Sequence, residues 1–133
     1  MKNLLPCCLL VLLSGLLFSG ISASSSLEKA YDVIVGFWTD GGKVMDTGEQ
    51  NYTFEKNLKF RSEFTIGNNN DVEEGKYKIT EKDNTLYIEF HITWEASKYG
   101  GAQDVDRKTE PIRLIIKDSS HIEMGDTPYK RMD

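Results

Sequence analysis

The side chains that most often carry catalysis or bind metals are few in this sequence, and their spacing forms no pair. Its only histidines are His91 and His121. Both fall on the polar side of alternating segments, in strands that are not neighbours in a sequential meander. A histidine metal site or acid–base pair is therefore not predicted, and both are interpreted as solvated surface residues.

Two clusters of carboxylates also admit a chemical interpretation. Asp71, Glu73 and Glu74 follow three asparagines, and Asp104 and Asp106 follow a pair of glycines. Neither cluster has the alternating oxygen ligands and the glycine of a calcium loop. The sequence also lacks a Gly-x-Ser-x-Gly motif and a phosphate-binding glycine loop. We therefore expect no enzyme, no metal and no cofactor, and we interpret Gly67–Glu74 and Ser97–Asp106 as solvated loops.

The first 23 residues have the pattern of a signal peptide. Lys2 precedes an apolar run from Leu4 to Phe18, and small residues end at Ala23. A membrane anchor is the competing interpretation, although the run is shorter than the roughly 20 residues that span a bilayer. Cleavage would remove both cysteines, Cys7 and Cys8, and leave residues 24–133 as one periplasmic or secreted domain without membrane insertion or a disulfide. The formal net charge of −5 disfavours nonspecific binding to nucleic acid or anionic lipid.

One segment, Asn84–Ala96, shows the clearest alternation of apolar and polar residues. Because successive side chains of a strand point to opposite faces, it is predicted to be a long strand with one buried face. The side chains predicted to point inward are Leu86, Ile88, Phe90, Ile92, Trp94 and Ala96.

Short turns join this strand to similar ones on either side. A hairpin around Lys56–Leu58 sets Phe54 opposite Phe60, and one around Asp83–Asn84 sets Tyr77 opposite Phe90. Before the strands, the spacing of Ser25 and Glu28 and the apolar periodicity predict a short helix. Seven or eight strands joined by hairpins favour an all-β, antiparallel up-and-down barrel of about eight strands, with an open sandwich as the alternative.

The ordered motifs resemble the short bacterial lipocalin-like domains of the calycin superfamily, across nearly all of residues 24–133. The matching segments are Gly36-Phe37-Trp38, Tyr52-Thr53-Phe54-Glu55-Lys56, Gly75-Lys76-Tyr77-Lys78-Ile79, Asn84-Thr85-Leu86-Tyr87-Ile88 and Tyr129-Lys130-Arg131. The resemblance implies that Gly36, Trp38 and Arg131 form the plug of the barrel, with the arginine lying across the tryptophan. The chain departs from full lipocalins in its shorter length, its lack of a disulfide and its lack of a long helix after the barrel.

The resemblance implies non-covalent binding of a small hydrophobic ligand in the barrel. The candidate ligand-binding residues are the aromatics of the mouth and upper barrel, Phe54, Phe64, Tyr77, Phe90 and Trp94. The same rings could instead be ordinary core, and the choice depends on the volume of the interior. The alternative function is a scaffold that binds a protein through Ser97–Asp106, such as an exported protease or lysozyme inhibitor.

Overall fold

The computed structural model describes residues 26–42 and 48–133, so the predicted signal peptide lies outside the described residues. One helix and nine strands occur in the part described. They are α1 (Ser26–Ile34), β1 (Gly36–Thr39), β2 (Glu49–Phe54), β3 (Lys59–Ile66), β4 (Asn69–Lys82), β5 (Thr85–Ser97), β6 (Gly101–Lys108), β7 (Ile112–Ile116), β8 (His121–Met124) and β9 (Thr127–Met132).

Eight of the strands close into an antiparallel barrel, which confirms the predicted fold class. Going around it, β1, β2, β3, β4, β5, β7, β8 and β9 pair in that order, and β9 pairs back with β1. Closure leaves these eight strands with a partner on both sides, which is why hairpins with one apolar face favour it. The open-sandwich alternative is therefore wrong.

The ninth strand, β6, has a different position. Strand β5 is long enough to pair with β7 through Leu86–Ile88 and with β6 through His91–Ser97, on the same edge. Strand β6 therefore lies along the same edge of β5 as β7, nearer to the open end of the barrel. The upper parts of β3, β4 and β5 together with β6 form what we call the tall wall, which rises on one side of the open end of the barrel.

The predicted hairpin registers are confirmed. Phe54 pairs with Phe60, and Tyr77 pairs with Phe90. Both pairs place apolar side chains opposite each other on the inner face, where such pairs stabilise a sheet by up to about 1 kcal/mol each.

Two predicted loops are wrong, and both belong to the tall wall. The segment Gly67–Glu74 is a tight turn followed from Asn69 by strand β4, and Ser97–Asp106 is a turn at residues 98–100 followed by β6. In β6 every residue except Val105 is exposed, so this strand is held by backbone pairing and lacks the alternation that identifies a half-buried strand.

A β-bulge changes the direction of the upper part of β5. Ile92 pairs with Gly75, but Trp94 pairs with Glu74. Thr93 is therefore an extra residue that is not opposite any residue of β4. A shift of one residue moves every later side chain to the opposite face. The prediction that Trp94 and Ala96 point inward is therefore wrong, and Glu95 takes the inner face in their place.

Helix α1 covers the lower end of the barrel. Ala30 and Ile34 are fully buried, and the hydroxyl of Tyr31 donates to the carbonyl of Ile79 and accepts from its N–H at 3.0 and 2.8 Å. The predicted short helix is thus confirmed over the described residues. Within residues 26–42 and 48–133, no helix has the length and apolar character needed to cross a bilayer.

Candidate functional site

Aromatic rings fill the middle of the barrel. Phe54, Tyr77 and Phe90 are only 1%, 3% and 4% exposed. The ring centroids of Phe54 and Tyr77 are 5.0 Å apart, and those of Phe60 and Phe90 are 4.6 Å apart. At these separations the rings are in direct contact, so this level of the interior is packed core.

The lower end is sealed by side chains from both termini of the described barrel. The guanidinium carbon of Arg131 lies 4.9 Å from the ring centroid of Trp38, and its Nη2 donates to the carbonyl of Val33. The Trp38 indole N–H donates to the carbonyl of Ile34 at 2.7 Å. A Cβ on Gly36 would lie 3.5 Å from the guanidinium, and φ at this glycine is +141°. These contacts join α1, β1 and β9.

At the open end, the inner face of the tall wall is charged. Arg107 on β6 forms ion pairs with Glu73 on β4 and, at 3.2 Å, with Glu95 on β5. The side-chain amide of Gln103 donates to Glu95 at 2.8 Å. These side chains line an open cleft of about 230 Å³, together with Asp71 and backbone near the end of β5. Since the pairs are exposed, each contributes only about 0–1 kcal/mol to stability.

Two tyrosines lie between the packed core and the charged wall. Tyr52 and Tyr129 have ring centroids 5.5 Å apart in an edge-on arrangement. Burial, followed by the negative charges of Glu73 and Asp40, raises the pKa of Tyr52 to about 12. Burial, followed by interaction with Tyr52 and Asp40, also raises the pKa of Tyr129. Within the described residues, neither phenol hydroxyl has a hydrogen-bond partner, so the two groups form a polar floor to the open end.

The predicted ligand-binding residues do not lie together. Phe54, Tyr77 and Phe90 belong to the packed core, whereas Phe64 is half-buried at the open end and Trp94 is half-buried on the outer face of the tall wall. Their role in binding stays a prediction. Sequence reasoning missed Glu95 and Arg107, because the bulge that turns Glu95 inward gives no signal in the alternation.

The hairpin of β5 and β6 ends in an exposed aromatic. Tyr99 is 84% exposed, and the nitrogen of Lys98 lies 5.5 Å from its ring centroid. The turn is ordered by a hydrogen bond of 2.8 Å from the N–H of Gly100 to the hydroxyl of Ser97. Strand β6 pairs with β5 alone among the described strands, so its other edge offers free backbone groups.

Among the described residues, each histidine contacts a single carboxylate. His91 Nε2 lies 2.6 Å from Asp106, and His121 Nδ1 lies 3.0 Å from Asp118. In residues 26–42 and 48–133, no three His, Cys, Asp or Glu side chains are grouped so that they could hold a metal ion.

Comparison of the chain with protein-family models, with curated proteins and with solved structures found no match.

Proposed function

We propose that the protein is a non-enzymatic binding protein that captures a partner protein through the hairpin of β5 and β6 and the cleft beside it. The observation that carries the proposal is the contrast between a barrel interior packed with rings and a hairpin whose tip, Tyr99, is 84% exposed. A packed interior leaves binding to the surface, and an exposed tyrosine held on an ordered turn is available to contact a partner.

The chemistry of the hairpin suits a protein partner. Tyrosine is enriched at the centres of protein interfaces, since its ring supplies apolar area and its hydroxyl a hydrogen bond. The free edge of β6 can accept an extended strand of a partner through backbone hydrogen bonds. The ion pairs of Arg107 beside it are exposed and exchangeable, so they can fix the orientation of a charged partner.

The test uses matched baits. The wild type, a Tyr99→Ala variant and a Phe37→Ala variant are immobilised and exposed to the exported proteins of the source cells. Phe37 is the control because it is an exposed aromatic, at 39%, on strand β1. We expect a partner to bind the wild type and Phe37→Ala, and to be lost with Tyr99→Ala and with a deletion of residues 99–102. Equal retention by the wild type, Phe37→Ala, Tyr99→Ala and the deletion variant would reject the hairpin as the binding surface.

The second candidate function is the binding of a small, partly apolar ligand at the open end, as the resemblance to lipocalin-like domains implies. The observation that favours it is the pair of tyrosine hydroxyls, Tyr52 and Tyr129, without partners among the described residues. An apolar ligand that went deeper would have to separate Phe54 from Tyr77. A ligand at the open end would therefore bind against Phe64 and the two tyrosines.

This candidate is tested by calorimetric titration with lipids and porphyrins, because Trp38 lies at the sealed end and Trp94 on the outer face, away from the open end. We expect Phe64→Ala to weaken the binding of any ligand that the wild type binds, while Phe37→Ala leaves it unchanged. Failure of every member of the panel to bind, or binding that is unaffected by Phe64→Ala, would reject this candidate.

The last part of the proposal is that the protein is exported from the cytoplasm. Residues 1–23 would act as a cleaved signal peptide, and the domain would function in the periplasm or outside the cell. The mass of the protein isolated from its source tests this directly: cleavage after Ala23 gives Ser24 as the first residue. A mature protein that retains Met1 would contradict export by this route.

A further inference from the structure

A row of basic side chains crosses the outer face of the sheet just below the bulge. Lys59 on β3 pairs with Lys76 on β4, Lys76 pairs with His91 on β5, and His91 pairs with Lys108 on β6. Their chain neighbours Phe60, Phe90 and Arg107 occupy the inner face, so all four members of the row share the outer one. We call these four residues the basic row. With strands about 4.8 Å apart, it is about 14 Å long.

The lysines of the row lack the ion pairs that nearby arginines of the same strands have. Arg61 and Arg107 each bind carboxylates, but Lys59, Lys76 and Lys108 have no carboxylate within ion-pair distance among the described residues. His91 alone has one, Asp106. Like charges directly opposite each other on neighbouring strands destabilise a sheet. A bound anion would relieve this repulsion between Lys59 and Lys76.

The surface around the row is shaped as well as charged. Lys76, Lys78, His91 and Lys108, together with one carboxylate, Glu89, line a shallow depression of about 310 Å³. The adjoining bulge brings β4 so close to β5 that a Cβ on Gly75 would lie 1.9 Å from the carbonyl oxygen of His91. The glycine therefore fixes the register that aligns the row, because any side chain there would push the two strands apart.

We propose that the basic row binds a linear anionic polysaccharide through its sulfate or phosphate groups. An extended chain of anions can meet Lys59, Lys76 and Lys108 in succession across the strands, with His91 between the last two. A flat anionic membrane fits less well, because Glu74 and Asp104 lie on the same face on one side of the row and Glu89 on the other. Single-stranded nucleic acid is disfavoured too, since the row contains no phenylalanine, tyrosine or tryptophan on which successive bases could stack.

The proposal is tested with dextran sulfate as the probe, at low ionic strength, on the full chain. The variants are the double substitution Lys76→Gln/Lys108→Gln and the control Lys82→Gln/Lys130→Gln, which removes the same charge outside the row. We expect the row variant to bind dextran sulfate about tenfold more weakly or worse, with a shallower dependence on salt, because two counterion-releasing contacts are lost. The control should match the wild type.

Other probes separate the sources of the anion. Inorganic sulfate at the same total sulfate concentration should compete poorly, since it meets only one or two cations at a time. Anionic phospholipid vesicles, polyglutamate and oligothymidylate should bind more weakly than dextran sulfate.

Several outcomes would overturn the proposal: equal losses in the two double variants, effective competition by inorganic sulfate, or tighter binding of vesicles, polyglutamate or oligothymidylate. Absence of dextran sulfate binding by the wild type would do the same. None of them bears on the hairpin proposal, because Tyr99→Ala leaves the basic row intact.

Discussion

The two ends of the barrel share strands β4 and β5 but use them in opposite ways. Below the bulge, Tyr77 and Phe90 pair on the inner face and are almost fully buried among other rings. Above it, the pair on the inner face is Glu73 and Glu95, which are bridged by an exposed arginine. The lower end therefore supplies most of the hydrophobic stabilisation, and the upper end is free to carry polar groups for recognition.

The largest expected contrast comes from the same substitution at the two ends. Phe54→Ala should lower the free energy of unfolding by about 3–5 kcal/mol, because the ring is fully buried and leaves a cavity. Phe64→Ala should lower it by about 1 kcal/mol, because that ring is half-buried at the open end. Denaturation in urea measures both. Similar losses at the two positions would show that the open end is as tightly packed as the core.

The boundary between the ends is tested at the bulge. Gly75→Ala should cost about 2–4 kcal/mol, because the new methyl would meet the carbonyl oxygen of His91 at 1.9 Å and backbone cannot rotate away. In the wild type, backbone amides of β4 and β5 above the bulge should exchange hydrogen faster than those below it. Thr93→Ala, an exposed change in the bulge itself, is the control and should cost no more than about 0.5 kcal/mol. A Gly75→Ala variant as stable as the wild type would contradict this close approach.

The sealed end has its own test at Arg131. Arg131→Ala removes the cation over Trp38 and the hydrogen bond to Val33, and should cost about 1–3 kcal/mol. Arg131→Lys should recover part of this loss, because it keeps the charge without the planar group. Arg113→Ala, at an exposed position of β7, serves as the control. An unchanged tryptophan emission in Arg131→Ala would argue against contact between the two side chains.

The stability contributed by Tyr52, which lies between the two ends of the barrel, should depend on pH. The pKa of Tyr52 is raised from 10.0 in a free tyrosine to about 12 in the fold, by burial first and then by Glu73 and Asp40. The stability linked to this phenol is therefore complete below pH 10 and is lost as the pH rises from about 10 to 12. Denaturation across this range should show a shallower loss for Tyr52→Phe than for the wild type. Identical pH profiles would place the hydroxyl in solvent.

The smallest effect is expected on the tall wall. Arg107→Ala should change the free energy of unfolding by less than about 1 kcal/mol, because its ion pairs with Glu73 and Glu95 are exposed. The change should shrink further in high salt. A double-mutant cycle with Glu73→Gln measures the coupling directly. A loss above about 2 kcal/mol would mean that the wall is part of the stabilising core.

The sequence predicted the barrel well wherever one face of a strand is buried. The pairing of Tyr77 with Phe90 follows from alternation and from a two-residue turn, both of which are local. Prediction failed for β6 and for the start of β4, where polar residues predominate and carry no periodic signal. It failed for Trp94 for a different reason: one extra residue, Thr93, reverses the faces without changing the spacing in the sequence.

What the sequence determined by itself was the alternation of apolar and polar side chains and the positions of the turns, since both depend only on neighbouring residues. The tertiary structure decided which side chains face each other across strands far apart in the chain. The ion pairs of Arg107, the four-residue basic row and the packing of rings inside the barrel all arise in this way. Each depends on register and closure, which arise only when distant strands pair and the sheet meets itself.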